Sequence, residues 1–265
     1  MKDHRFAFVT EMPGNCVTRE QLNMIACRYV WAADRVEGLD VLEVACGPGL
    51  GLGHLASRAR RVIVGDLDGE CVRMLASHYR GRLAVSRFNA QDLPYAADQF
   101  DAVIMFEAVY YLQDIDLFIT ECRRVLRPGG MLLLTLPNRD WPGFGKSPHS
   151  HRYLSPAELV ELGQRHGFAV QVYGTYPQRG VTLRQRVLGA IRKATTALHL
   201  VPTGRVRTEA IRRVLRKLLY GKLEVLPHEV GPEMANGCRR AMLPMDRIDR
   251  LHRVFYVIAH RDALR

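Results

Sequence analysis

Two glycines and one acid carry the first chemical signal in this 265-residue chain. Gly47 and Gly49 follow directly on the apolar run Val41-Leu42-Glu43-Val44-Ala45. Glycine there lets backbone approach a ligand with no Cβ in the way. Asp66 closes a second apolar run, 61–65, nineteen residues after Gly47. In an open parallel sheet the ligand lies beyond the C-terminal ends of the strands, where the strand order reverses, and an acid at the end of the second strand suits the two hydroxyls of a ribose. The pattern therefore points to a ligand that contains a nucleoside. A formal dinucleotide match, Gly51-Leu52-Gly53-His54-Leu55-Ala56, begins too far past the strand, inside the next helix, and no Walker-type lysine follows. Phosphate binding at this turn is thus unsupported.

These residues need a particular scaffold. Strand-like runs recur at 41–45, 61–66, 83–88, 100–105, 131–136, 168–173 and 254–259, and helical periodicity fills most of the gaps between them. Thr18-Arg19-Glu20-Gln21 is a capping box opening a helix that Gly38 should end, and Ser155-Pro156-Ala157-Glu158 opens another with serine at the N-cap and proline at N1. Alternating strands and helices imply an α/β fold: a Rossmann-like, seven-stranded, mostly parallel sheet with helices on both faces. No strand signal lies between the last two strands, so a helical insertion is expected there. The expected layout is an arm and helical cap over 1–38, a core over 39–178, a basic helical insertion or lid over 179–250, and a final core strand and C-terminus over 251–265.

With the elements in order, four segments resemble one family. Val41 to Gly49 resembles the first motif of class I S-adenosylmethionine-dependent methyltransferases, and Asp66 matches their ribose-binding acid. Asn89-Ala90-Gln91-Asp92-Leu93-Pro94-Tyr95 is similar to their adenine-binding segment, with Asn89 where Asp is usual. Phe100-Asp101 through Leu112 resembles the fourth motif, and Arg124 to Gly130 resembles the segment before strand five. The likeness is closest to the branch that methylates small molecules and quinones. It implies S-adenosylmethionine as cofactor and S-adenosylhomocysteine as product. It also implies that Glu43, Ala45, Gly47 and Gly49 surround the methionine portion, with the Met105 backbone holding the amino-acid end. Asp66 would take the ribose hydroxyls, Leu67 would pack on the adenine, and Asn89 and the Ala90 amide would meet its edge. Arg28 or Tyr29, on the helix before the first core strand, would meet the carboxylate.

Methyl transfer from a sulfonium is an in-line displacement, so the protein mainly aligns the partners and excludes water. A hydroxyl acceptor also needs its proton removed. Candidate bases after strands four and five are Glu107, His149 and His151, with Tyr110, Tyr111 and Tyr153 as positioning groups and Tyr111 counted with the bases as a catalytic candidate. The His149/His151 pair has no carboxylate or thiol cluster with it, so no metal is expected. The expected activity is methylation of a small organic acceptor, on oxygen before nitrogen or carbon. The alternatives are a cyclase-like enzyme that keeps the cofactor without net methyl transfer, and a membrane-surface methyltransferase acting on a lipidic or quinone acceptor.

Charge supplies the last signal. The chain carries 38 Lys/Arg against 27 Asp/Glu, a net charge of +11. Segment 179–223 alone holds twelve Lys/Arg and one acid, Glu209, so the remainder is close to neutral. It reads as two amphipathic helices. They are expected to form a lid, with peripheral contact to a membrane surface as a second role. Nucleic acid is disfavoured: the Asn/Asp-Pro-Pro-aromatic motif of base-amino methyltransferases is missing after strand four, and no RNA-binding module is evident. No apolar leader follows Met1-Lys2-Asp3-His4-Arg5 and no apolar run approaches a membrane span, so the expected location is the cytoplasm, with all six cysteines reduced.

Overall fold

The computed structural model describes residues 11–178, 223–245 and 247–262. The basic segment anticipated as two helices, 179–223, therefore lies outside the described residues except for its last position.

Chain order begins with β1 (Cys16–Thr18), α1 (Arg19–Ala33), β2 (Asp40–Val44), α2 (Leu52–Arg58), β3 (Arg61–Asp66), α3 (Gly69–Tyr79) and β4 (Ala84–Arg87). It continues with β5 (Phe100–Phe106), α4 (Ile115–Val125), β6 (Leu126–Pro137), α5 (Pro156–Arg165) and β7 (Phe168–Pro177), then β8 (Leu223–Val225), β9 (Arg240–Met242) and β10 (His252–Arg261). Both anticipated capping boxes form. The Thr18 side chain accepts from the Gln21 amide while Gln21 accepts from the Thr18 amide, and Ser155 and Glu158 do the same for α5. Each satisfies donors that the first helical turn leaves open. Helix α1 stops at Ala33, short of Gly38.

The main sheet runs β4-β3-β2-β5-β6-β10-β7-β9. The pairs from β4 through β6 are parallel; β10 is antiparallel to β6 and to β7, and β9 is antiparallel to β7. The α/β fold with a mostly parallel sheet is as expected, and the seven anticipated strands are all present. Three further strands, β1, β8 and β9, correct that count. β9 adds an eighth to the edge of the main sheet, and β8 pairs with β1 as a separate two-stranded sheet. Each has three residues, too few to show a two-residue alternation, and each is held by a partner far away in sequence. The described part of 179–250 is thus strand and loop with one 3₁₀ turn at Pro232–Met234, and no α-helix occurs among its described residues.

Burial explains the strand composition. β2 is buried at every position, because helices cover both faces of the central sheet. One apolar layer gathers Leu42, Val103, Phe118, Leu134 and Phe255, and the other gathers Val41, Trp31, Leu55, Ile104 and Tyr256. The second layer seats α1 against the sheet, and α1 carries Arg28 and Tyr29.

The cysteine expectation is also corrected. Cys27 on α1 and Cys238 form a disulfide, while Cys16, Cys46, Cys71 and Cys122 are free thiols. The two partners lie 211 residues apart in the chain, and only the packing of the return segment on α1 brings them together. Among the described residues no helix is long and apolar enough to cross a membrane.

Candidate functional site

The strand order places the switch point between β2 and β5, since the chain steps from β2 outward to β3 and β4 and then returns to β5. The β2–β5 ladder has its last pair at Glu43–Ile104. Beyond that pair the two strands lead into the loops at Ala45–Gly49 and Glu107–Tyr111. This is where open α/β sheets hold ligands.

Both strand ends are tightly bent. Ala45 (φ 53°) and Glu107 (φ 52°) are left-handed although neither is glycine. That conformation costs on the order of 1–2 kcal/mol per residue. Gly47 and Gly49 are left-handed as well. An added Cβ would meet nothing within 4 Å at Gly47, whose outer side is open, whereas at Gly49 it would fall 2.4 Å from Leu52 Cδ1. Gly47 thus faces free space and Gly49 lies against the packed helix.

Asp66 ties two crevice walls together. Its Oδ2 accepts from the Gly47 amide at 2.8 Å and its Oδ1 from the Asp68 amide at 2.8 Å. Burial raises its pKa, and these backbone donors oppose the rise. Beside it, Leu67 is 48% exposed, an apolar side chain left open at the lip. Asn89 lies exposed on the next loop; its side-chain oxygen accepts from the Gln91 amide at 3.0 Å, and the Ala90 that follows it is buried.

The floor is charged. Glu43 is 1% exposed. Tyr29 donates to its Oε1 at 2.8 Å, while its Oε2 is buried with no hydrogen-bond partner. Burial pushes its carboxyl up to about 7 against the pull of Tyr29 and Arg28. Arg28 is also buried, and its guanidinium lies 5.8 Å from the centre of the Phe106 ring at the end of β5. Both terminal nitrogens donate to Glu11, Nη1 at 3.1 Å and Nη2 more closely. Burial opposes this charge, and the Glu11 ion pair more than offsets it, so the Arg28 pKa lies above the ordinary value. Met105 is fully buried in β5.

Glu107 follows directly on the end of β5. Its Oε2 accepts from the Tyr110 hydroxyl at 3.3 Å. Burial raises its carboxyl to about 7, with Arg28 pulling down and Glu11 pushing up. Tyr110 stacks on Tyr153 with ring centres 4.6 Å apart, and Phe144 meets Tyr153 edge-on at 4.7 Å. The Tyr111 hydroxyl turns away, to Ser147 Oγ at 3.2 Å. His149 and His151 are exposed; the His151 amide donates to the Tyr110 carbonyl, so its backbone rather than its ring reaches this cluster. At the β2–β5 strand ends the structure thus pairs Tyr29 with Glu43 and Gly47 with Asp66, sets Arg28 against Phe106 and Tyr110 against Glu107, and leaves His149 and His151 exposed. No group of three or more metal-ligating side chains occurs among the described residues.

One residue escaped the sequence reading. Glu11 sits in an irregular arm with no periodicity to mark it. Tyr110 was legible only as one of two adjacent tyrosines, and the turn Val109–Tyr111 decides which faces Glu107.

The unpartnered Glu43 Oε2 fits an ammonium group. Asp66, with lone pairs beyond its two backbone bonds, fits ribose hydroxyls, and exposed Leu67 fits a planar base. The donor set therefore matches the cofactor implied by the sequence motifs. Residues 42–134 match the family model described as a methyltransferase domain. A probable S-adenosylmethionine-dependent methyltransferase from Mycolicibacterium smegmatis is 39% identical over 147 residues, 54% of this chain and 57% of the relative. A fatty-acid O-methyltransferase from the same organism is 38% identical, covering 49% of this chain and 47% of the relative. A ubiquinone biosynthesis O-methyltransferase from Mesorhizobium japonicum is 32% identical, covering 48% and 52%. The chain spans about half the length of these curated relatives.

Solved structures share the fold at low identity. YcgJ from Bacillus subtilis covers 92% of this chain and 99% of its own, with TM-score 0.55 and 16% identity. The [4+2]-cyclase SpnF covers 93% and 82%, with TM-score 0.55 and 20% identity. Residues 42–134 thus match a methyltransferase domain, and the described core shares its fold with these solved structures.

Proposed function

We propose that this chain binds S-adenosylmethionine in the β2–β5 crevice and methylates a small organic acceptor, on oxygen before nitrogen or carbon. The observation that carries the reading is the junction of Gly47 and Asp66 above an unpartnered, buried Glu43 oxygen. When bound, the cofactor supplies an activated methyl group on a sulfonium. The chain supplies the rest. Glu43 pairs with the ammonium, Arg28 with the carboxylate, Asp66 with the ribose, and Leu67 and Asn89 flank the base. Glu107, held near neutrality, takes the proton of an acceptor hydroxyl, and Tyr110 orients it.

Oxygen is favoured because a carboxylate with a pKa near the working pH is suited to relieving a hydroxyl of its proton. The names of two relatives, a fatty-acid and a ubiquinone-biosynthesis O-methyltransferase, point the same way. Mass spectrometry of products formed from hydroxylated fatty acids and quinols tests the proposal. The expected result is a gain of one methyl group; a changed skeleton with no added methyl would favour the cyclase alternative instead.

Glu11 makes a separate prediction. Its carboxylate occupies the guanidinium assigned here to the cofactor carboxylate, so cofactor binding has to displace it. Glu11→Gln is expected to tighten S-adenosylhomocysteine binding roughly fivefold, on the order of 1 kcal/mol for a part-exposed ion pair. The ligand-free protein should lose stability, because Arg28 is left buried without its counter-charge. Calorimetric titration and urea unfolding measure the two effects. Weaker binding would mean that Glu11 positions Arg28 rather than competing for it.

A further inference from the structure

A second concave surface lies away from the crevice, on the C-terminal half of α3. It is a groove of about 530 Å³ lined by Met74, Ser77, His78, Arg80, Arg82 and His228. Its chemistry is cationic. The His78 and His228 rings stack 5.6 Å apart and 11° from parallel. Arg80 is exposed at the helix C-cap, and Arg82 is fixed by donating from Nε to the Tyr79 carbonyl and lying over the Tyr79 ring. Among the described residues no acid pairs with Arg80 or Arg82. Beside the groove, the Glu229 carboxylate is engaged by His78 Nε2 at 2.8 Å.

The Arg82 guanidinium held against Tyr79, the exposed Arg80 guanidinium, two imidazoles and the Ser77 hydroxyl offer several donors. That set suits a compact, doubly charged anion with several acceptor oxygens. A bare metal ion is disfavoured, since among the described residues no group of three or more metal ligands gathers.

We propose that this groove is a binding site for a phosphate group. The site has a physical link to the crevice. Glu229 packs on Gly53, where an added Cβ would fall 2.4 Å from its Oε2, and the Tyr79 hydroxyl donates to the Gly49 carbonyl at 3.3 Å. The segment that carries His228 and Glu229 is anchored to the same loop by the Val230 amide, which donates to the Leu50 carbonyl. The inference rests on side chains outside the crevice, so it stands or falls independently of the cofactor assignment.

The test is a titration of the whole protein with inorganic phosphate and with glycerol 3-phosphate, read by the ring resonances of His78 and His228 and by calorimetry. Cosedimentation with phosphatidylglycerol and with phosphatidylcholine vesicles runs beside it. The expected result is saturable movement of both histidine resonances. Arg80→Gln and His228→Gln should each weaken phosphate binding about fivefold or more, as for lost charge-assisted bonds, while the distant Arg165→Gln should leave it unchanged. If the same two variants also abolish sedimentation with the anionic vesicles, the phosphate belongs to a lipid headgroup; soluble binding alone assigns a free phosphate ester. Unmoved histidine resonances, or binding indifferent to Arg80→Gln and His228→Gln, would overturn the proposal.

Discussion

Glu107→Gln is expected to lower kcat by about 10²–10⁴-fold, the range typical for loss of a placed general base. Glutamine keeps the size of the side chain and its acceptor oxygen for Tyr110, so folding and cofactor affinity should change little. The wild-type pH profile gives the sign. Burial raises the Glu107 carboxyl to about 7. Only its deprotonated form can accept the acceptor's proton, so kcat/KM should rise with pH through about 7 and then level. Glu107→Gln should erase that limb. The Tyr110 hydroxyl bond favours the charged form of the carboxylate. Tyr110→Phe should therefore move the limb to higher pH while leaving its plateau within reach. A Glu107→Gln enzyme with the wild-type kcat, or with the limb still present, would remove the residue from the chemistry.

The second large effect concerns Asp66. Asp66→Ala removes the group assigned to the ribose and also frees the Gly47 amide from its 2.8 Å bond. The loop that shapes the crevice loses its tether at the same moment as the ligand loses a charged acceptor. Cofactor affinity should fall by about 3 kcal/mol, roughly a hundredfold or more, as expected for charge-assisted hydrogen bonds. Titration of the variant with S-adenosylhomocysteine reads the loss, and its urea unfolding curve shows whether the fold survives. An unchanged dissociation constant in a folded variant would mean that Asp66 serves the loop alone.

The parts of this site that were legible in the sequence share one property: their geometry is dictated locally. Gly47 and Gly49 must be glycine or strained because the chain turns left-handed there, and Asp66 is placed by the length of one βαβ unit. The capping boxes at Thr18 and Ser155 are contacts across three residues. What stayed hidden depends on long-range packing. β9 has three residues and exists because β7 offers an open edge. Cys27 finds Cys238 only after the return segment crosses α1. Glu11 meets Arg28 across seventeen residues of irregular arm and helix, with no spacing rule to announce it. The loop histidines 149 and 151 attracted attention as residue types, yet burial turns Tyr153 inward and leaves them in solvent. A residue's chemistry can be read in one dimension, but the face it presents is set by what packs beneath it.

Glu43 and Glu107 show how that packing becomes function. Neither would titrate near neutrality on a surface. Both do so here because burial at the strand ends disfavours their charged forms, and Arg28 beside them limits the rise. In the proposed cofactor site, a cation beside these groups would favour their ionised forms.

The most direct measurement is a calorimetric titration of the purified chain with S-adenosylhomocysteine. One site per chain, saturating at micromolar ligand and lost on Asp66→Ala, is the predicted outcome. A folded protein that releases no heat at millimolar ligand would contradict the assignment of the β2–β5 crevice, and with it every role given to the side chains around it.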